Sequence, residues 1–340
     1  MLLRVVCACL AAVVLVSVPL PALTPDVVRS IGAVPPEVAG RLVDPVGFQQ
    51  AASGQYFLFD RRGHTVYGVD AELKSVWQIV QIGAEPGRII EPIAFSVAAD
   101  GTFVVADAPD SRERIQVFTP VGFRSGGFIL RNRIKPRVIL DNMVASGTGS
   151  LQYNGRSILM SQPESGALFN EYNTSGTVER LIGSLRATGH EDDPELHFAL
   201  NTGLPLRDPT GGFFFVFLAG EPVLRKYDQK GQLLFERRMY GREIDEVVAK
   251  LPTTWPRRTT TDGELPYVPP TIRTAAVDPH GRLWVSFVVP CVYVFDTTGD
   301  KIRSLQLRGA GLVSPNSLFF GSQGQLLVTP GLYLFPALAN

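Results

Sequence analysis

Cysteine is scarce in this chain. There are three in 340 residues, and two of them, Cys7 and Cys9, stand within the first ten. The body of the chain keeps only Cys291, so no intramolecular disulfide can staple it, and a chain this long can instead bury a large core. Cys291 lies in the apolar run "VVPCVYVF" and reads as a small buried hydrophobe. No histidine is placed to activate it as a nucleophile. Excess charge is also missing: 32 basic residues face 32 acidic ones, and the balance falls to −1 if Arg4 is lost. That argues against a nucleic-acid partner, which leaves a basic footprint. No G-x-S-x-G elbow, Walker loop or C-x-x-C motif occurs beyond the first residues. Long helical patterns are nearly absent, whereas 33 glycines and 26 prolines punctuate the chain. This balance points to an all-β protein.

The opening "MLLRVVCACLAAVVLVSVPLPALTPD" has the layout of an export leader. Arg4 supplies the positive end, Val5 to Val18 the apolar core, and Ala22 a small residue for cleavage. The expectation is a signal peptide over 1–22 and a product in the periplasm or outside the cell. The apolar run is too short and too soon ended by proline for a comfortable membrane span. An uncleaved N-terminal anchor is the alternative. Lipid attachment at Cys9 would leave almost no apolar core before the cysteine.

What the chain does have is repetition. Asp100-Gly101 in "VAADGTFVV" predicts a hairpin, with positive φ at both central residues of a type I′ turn. The same Gly turn followed by an apolar run recurs at Gly54, Gly155, Gly212, Gly281 and Gly324. Each copy leads to a second apolar run, and most then to a further one. Four-stranded antiparallel units in tandem are the signature of a β-propeller, here with six blades. Runs such as "GFFFVFL" fit sheets that are sandwiched on both faces. The sixth unit lacks its last strand, and "VVRSIGAVPPEVAGRLVDP" at 27–45 parallels "IVQIGAEPGRIIEP" at 79–92. A strand at 27–31 is therefore expected beside Tyr333, closing the ring and hiding the sheet edges. The domain reading is one propeller over 27–340, with an insertion at 241–270 between blades four and five.

Blade two, "IAFSVAADGTFVVADAPDSRERIQVFTPVG", resembles the NHL-repeat pattern at Asp100-Gly101, Val105-Ala106-Asp107 and Arg114-Ile115-Gln116-Val117-Phe118. The likeness is partial in blades one and five. Blades three, four and six keep only the Gly turn and the hydrophobic spacing. The chain looks like an exported bacterial six-bladed propeller, an architecture shared by binding proteins, sensor domains, lactonases and lyases, so fold is a poor guide to function. The His-rich inner lining of metal-dependent lyases and the acidic quartet of calcium-bearing lactonases find no matching motifs here.

If the strands of a blade are lettered a to d, the a–b and c–d turns lie at one end of the ring. The b–c loops and d–a links lie at the other. The second set is the longer and more irregular, so binding is expected there. At that end Asp60 and Asp107 follow the b strands of blades one and two. They could form a carboxylate pair facing a ligand, or cap their loops as Asx turns. Glu164 and Glu221 hold similar places in blades three and four, and Arg112 lies in the blade-two loop. In the insertion, Ile244, Val247, Val248 and Leu251 form one apolar helical stripe ended by Pro252. Trp255, Arg257 and Arg258 follow, an aromatic with paired guanidinium groups that could receive a carboxylate, a phosphate or a sugar face. The link "HEDDPELH" gathers His190, Asp192, Asp193 and His197, a possible calcium or zinc site or simply a solvated acidic segment. His280 is read as a turn residue at the other end. The expected function is a monomeric, non-catalytic module binding a protein or a small polar ligand, without a cofactor. The alternative is a divalent-metal-dependent hydrolase or lyase working at the channel mouth.

Overall fold

All six glycines named above adopt the left-handed conformation, with φ between 77° and 91°. In the computed structural model, which describes residues 25–109, 112–130, 137–140, 143–146, 150–260 and 263–338, each of them turns one strand into the next. The turn at Gly101 is not type I′, because Asp100 keeps a negative φ. Ala98 accepts a hydrogen bond from Gly101 N (3.0 Å) and donates to Thr102 O (2.8 Å). This is a three-residue loop whose last residue is left-handed, the next commonest hairpin solution. Asp100 serves it through its side chain, accepting from Thr102 N at 3.0 Å and Thr102 Oγ1 at 2.6 Å.

Six four-stranded antiparallel blades follow. Blade one comprises Pro45–Gln50, Tyr56–Asp60, Thr65–Val69 and Val76–Val80. Blade two comprises Ala94–Val97, Phe103–Asp107, Arg114–Phe118 and Arg124–Ile129. Blade three comprises Leu151–Tyr153, Ser157–Ser161, Ala167–Asn173 and Val178–Ser184. Blade four comprises Gly203–Arg207, Phe213–Phe217, Val223–Tyr227 and Leu233–Arg238. Blade five comprises Ile272–Val277, Leu283–Phe287, Val292–Phe295 and Lys301–Arg308. Blade six has Ser317–Phe320, Leu326–Thr329 and Tyr333–Phe335, completed by Gly32–Ala33 from the N-terminal side.

The a strands touch one another in sequence and then from blade six back to blade one, so they form the inner ring of a β-propeller. A separate apolar cluster fills each of the six seams between blades. This is why the middle strands are buried along their whole length, as in Phe103–Asp107 and Phe213–Phe217, and read as unbroken apolar runs.

Closure differs in detail from the expectation. Residues 31–34, not 27–31, lie beside Tyr333: Ile31 N donates to Leu334 O (2.8 Å) and Val34 N to Leu332 O (3.0 Å). Asp26–Arg29 instead run parallel to the outer strand of blade five, from Leu305 to Arg308. Val28 packs there against the blade five–six core, which contains Leu305, Leu307 and Phe335. One extended segment thus covers two edges, each of which would otherwise present unpaired backbone groups. Among the described residues three α-helices decorate the ring: α1 (Pro36–Ala39), α2 (Pro194–Leu200) and α3 (Arg242–Ala249). The expected leader at 1–22 lies outside the described residues, and no described helix is long and apolar enough to cross a membrane.

Candidate functional site

Three links gather at the end bearing the b–c loops and d–a links. The link from blade three to blade four carries α2. The link from four to five carries α3 and the hairpin Arg257–Thr260/Gly263–Pro266. The link from two to three carries the hairpin Arg137–Leu140/Met143–Ser146, whose first strand lies against α2 and against Gly263–Pro266. Helix α3 packs as its stripe predicts, with Ile244 buried and Val248 half-buried in the seam of blades four and five. It stops at Ala249, two residues before Leu251.

Of the predicted binding residues, Trp255, Arg257 and Arg258 lie here, each engaged with protein neighbours. Trp255 packs on Leu196, Ala199, Leu200, Ala219 and Val268, a small core of its own under the platform. Arg257 pairs with Asp193 (2.6 Å) and Glu195 (3.3 Å), joining the hairpin to the first turn of α2. Asp193 also caps α2 by accepting from Leu196 N at 3.3 Å. Burial opposes ionisation of Asp193, but Arg257 and the Leu196 amide outweigh it and hold the carboxyl below its ordinary range. Arg258 lies exposed over the Tyr267 ring, 3.6 Å from its centre.

The ligand set His190, Asp192, Asp193 and His197 is not brought together. His197 Nδ1 sits 2.7 Å from Thr188 Oγ1, Asp192 points to solvent, and Asp193 serves Arg257. Among the described residues no three His, Cys, Asp or Glu side chains converge as a metal site.

Asp60 and Asp107 are 1 % and 0 % exposed, and neither is open to a ligand. Asp60 accepts from the amides of Val43 (2.7 Å), Asp44 (2.8 Å) and Gly63 (2.9 Å), tying the blade-one loop to its d–a link. The loop-capping alternative therefore describes it. Asp107 takes Nε (2.9 Å) and Nη2 (2.5 Å) of Arg114 in a forked pair and accepts from Ile90 N at 3.2 Å. Arg114 in turn donates to the carbonyls of Ala84 (2.6 Å) and Arg88 (3.0 Å). Glu221 pairs with Arg238 at 2.8 Å, and Arg112 stands exposed in the blade-two loop.

The sequence reading missed the mouth of the channel. In four blades the a strand begins with an extra residue, which re-aims its side chain. In blades one and five the register slips at Val46 and Arg273. In blades two and six, Ile93 N and Asn316 N donate to Ala106 O (2.7 Å) and Thr329 O (2.8 Å), alongside the ladder pairs of Ala94 and Ser317. The four residues occupy one position around the axis. Arg273 is exposed although it belongs to an innermost strand, which solvent reaches only from the channel or its mouth. Its Nη1 donates to Asn316 Oδ1 at 3.0 Å, and it pairs with no carboxylate among the described residues. The signal was a lone cation in the otherwise uncharged stretch "TIRTAAV".

At the opposite end a cavity of about 290 Å³ opens between blades five and six, lined in part by Asp278, His280, Arg282, Trp284 and Phe320. Its carboxylate is engaged: Asp278 accepts from Arg282 Nε (2.6 Å), Trp284 Nε1 (3.1 Å) and the His280 amide (2.9 Å). His280 is a turn residue, as its place before Gly281 suggested.

Three solved structures match most of the chain at low identity. A streptogramin B lyase matches with a TM-score of 0.48 and 11% identity over 86% of this chain and 92% of its own. Virginiamycin B lyase from Staphylococcus aureus matches with a TM-score of 0.49 and 10% identity, over 87% of this chain and 84% of its own. A protein of unknown function from Bacteroides caccae gives 0.48 and 12%, over 81% and 82%. At such identities the likeness concerns the fold alone. No family model matches the chain, and no curated protein matches it significantly.

Proposed function

We propose that this protein is an exported, NHL-like six-bladed propeller that binds a ligand through the end bearing its long loops and links, without transforming it. One observation carries the reading: three successive links meet on that end, with α2 and two hairpins forming a platform beside the channel mouth, while the other end carries short turns. Irregular segments held by a rigid scaffold are where binding groups concentrate. The repeat spacing of blade two supports the NHL likeness, and the leader-like residues 1–22 support export. The partner is a protein or a small polar molecule. A divalent-metal hydrolase or lyase has less to work with, since Asp60, Asp107 and Asp193 are already engaged by backbone amides, Arg114 and Arg257.

Hydrogen exchange read by mass spectrometry, on the purified chain with a panel of organic acids, amino acids and sugars, tests this. Slowed exchange is expected in segments 61–64, 186–201 and 255–273. Protection confined to the a–b turns at 98–102 and 278–282 would refute the assignment of the binding end. A rise in melting temperature with added calcium or zinc would instead favour the metal-dependent reading.

A further inference from the structure

The four bulge positions at the channel mouth differ in chemistry by side of the ring. Blades five and six contribute Arg273 and Asn316; blades one and two contribute Val46 and Ile93. These blades are consecutive around the ring, so the mouth has one polar arc and one apolar arc. In a ring of six, blade five stands opposite blade two, and Arg273 therefore faces Ile93 across the axis. The guanidinium is exposed and held on one side by Asn316 Oδ1 at 3.0 Å. That bond leaves the other N–H groups of the fork, and the Asn316 amide N–H groups beside them, available to an incoming acceptor. Val46 and Ile93 pack in part on the blade one–two and blade two–three cores and are half-buried, so each keeps some apolar surface open.

We propose that this mouth receives a small organic carboxylate with an apolar body, the carboxylate on Arg273 and Asn316 and the body against Ile93 and Val46. A single guanidinium with no counter-ion among the described residues matches one negative charge better than the two of a phosphate monoester. A planar fork also fits the two oxygens of a carboxylate. Only one end of such a ligand carries charge, and of these four positions it is the blade five–six pair that can meet it, so the ligand enters with its carboxylate toward Arg273. This inference rests on the reading that the loop-bearing end binds ligands, and it adds the ligand's class and pose.

Isothermal titration of the purified chain with hexanoate, hexan-1-ol and acetate separates the contributions. Hexanoate should bind at least roughly tenfold more tightly than hexan-1-ol, which lacks the charge, and more tightly than acetate, which lacks the body. Arg273→Met should weaken hexanoate by roughly tenfold or more while the melting temperature stays put, because the side chain is exposed. Arg273→Lys should recover part of the loss. Ile93→Ser should weaken hexanoate several-fold, on the order of the loss of buried apolar area, and leave acetate unchanged. Equal affinity for hexanoate and hexan-1-ol, hexanoate binding indifferent to Arg273→Met, or no hexanoate binding at all would each overturn the inference. The hydrogen-exchange panel decides the broader reading separately, since another ligand can protect the same end when hexanoate fails.

Discussion

Replacing Asp107 by Asn should unfold the protein sooner rather than disable a binding site. The carboxylate is wholly buried and faces the Arg114 guanidinium, whose side chain is only 10 % exposed. Arg114 makes four hydrogen bonds, two to Asp107 and one each to the carbonyls of Ala84 and Arg88. An amide at 107 keeps one acceptor but turns a donor toward Nη2, leaving a buried cation without its counter-charge. Breaking a buried pair from one side costs about 3–5 kcal/mol. For a chain of 340 residues that corresponds to a melting temperature lower by roughly 4–7 °C. Arg114→Met should cost a similar amount, and the double variant Asp107→Asn/Arg114→Met less than the sum, since no buried charge is then left unpaired. Thermal and urea unfolding of the four proteins measure the cycle, and hydrogen exchange at 84–90 should accelerate in the single variants, because Arg114 ties that link to the blade. An Asp107→Asn protein with unchanged stability but lost ligand binding would refute the reasoning and return Asp107 to the binding site.

Acid should loosen the seam of blades three and four. Burial opposes ionisation of Glu171, but hydrogen bonds from Ser157 and Arg180 and the charge of Arg207 outweigh it, so its carboxyl titrates below 4.5. A depressed folded pKa gives stability that is present above the unfolded value and lost as pH falls through the folded one. Stability should therefore drop below about pH 4.5, and Glu171→Gln should lower stability at pH 7 while flattening that acid limb in a urea-midpoint series. Cys291 is buried, and burial pushes its thiol up to about 12, with the nearby Glu243 charge adding to the shift. It should stay unreactive toward a disulfide reagent in the native protein at pH 8 and react fully in denaturant; rapid native labelling would contradict its place in the blade four–five core.

The ring was legible because its determinants are local. A left-handed glycine, an apolar run and a second apolar run recur within one hairpin, and burial on both faces removes the alternation that would mark a one-sided sheet. The closing segment was harder. Its resemblance to residues 79–92 located the right stretch, but which residues meet Tyr333 depends on how Val28 packs into the blade five–six core, a contact between segments almost a chain length apart. Trp255, Arg257 and the 190–197 segment were recognised as chemistry-bearing and do come together. What sequence could not supply was that Arg257 spends its charge on Asp193, 64 residues away. Asp107 and Arg114 were in principle readable as a pair, since a b–c hairpin sets the end of one strand beside the start of the next.

Polar side chains in a propeller face a strict sorting, because nearly every strand is buried between two neighbours. An ionised group inside a seam must be paired or pay several kcal/mol in desolvation, and Asp107 with Arg114, Glu171 with Arg207 and Asp278 with Arg282 all follow that rule. Their charge is consumed in fixing loops and turns to the blades. The same rule marks the exception. Arg273 belongs to an innermost strand, where its neighbours Ile272 and Ala275 are buried, yet at a bulge it stands exposed, and among the described residues its hydrogen-bond partner is a neutral amide. A structural role would have been met by a carboxylate at the Asn316 position. That the fold leaves this guanidinium half-satisfied, opposite an apolar residue rather than an acid, is the physical ground for assigning its second partner to a ligand.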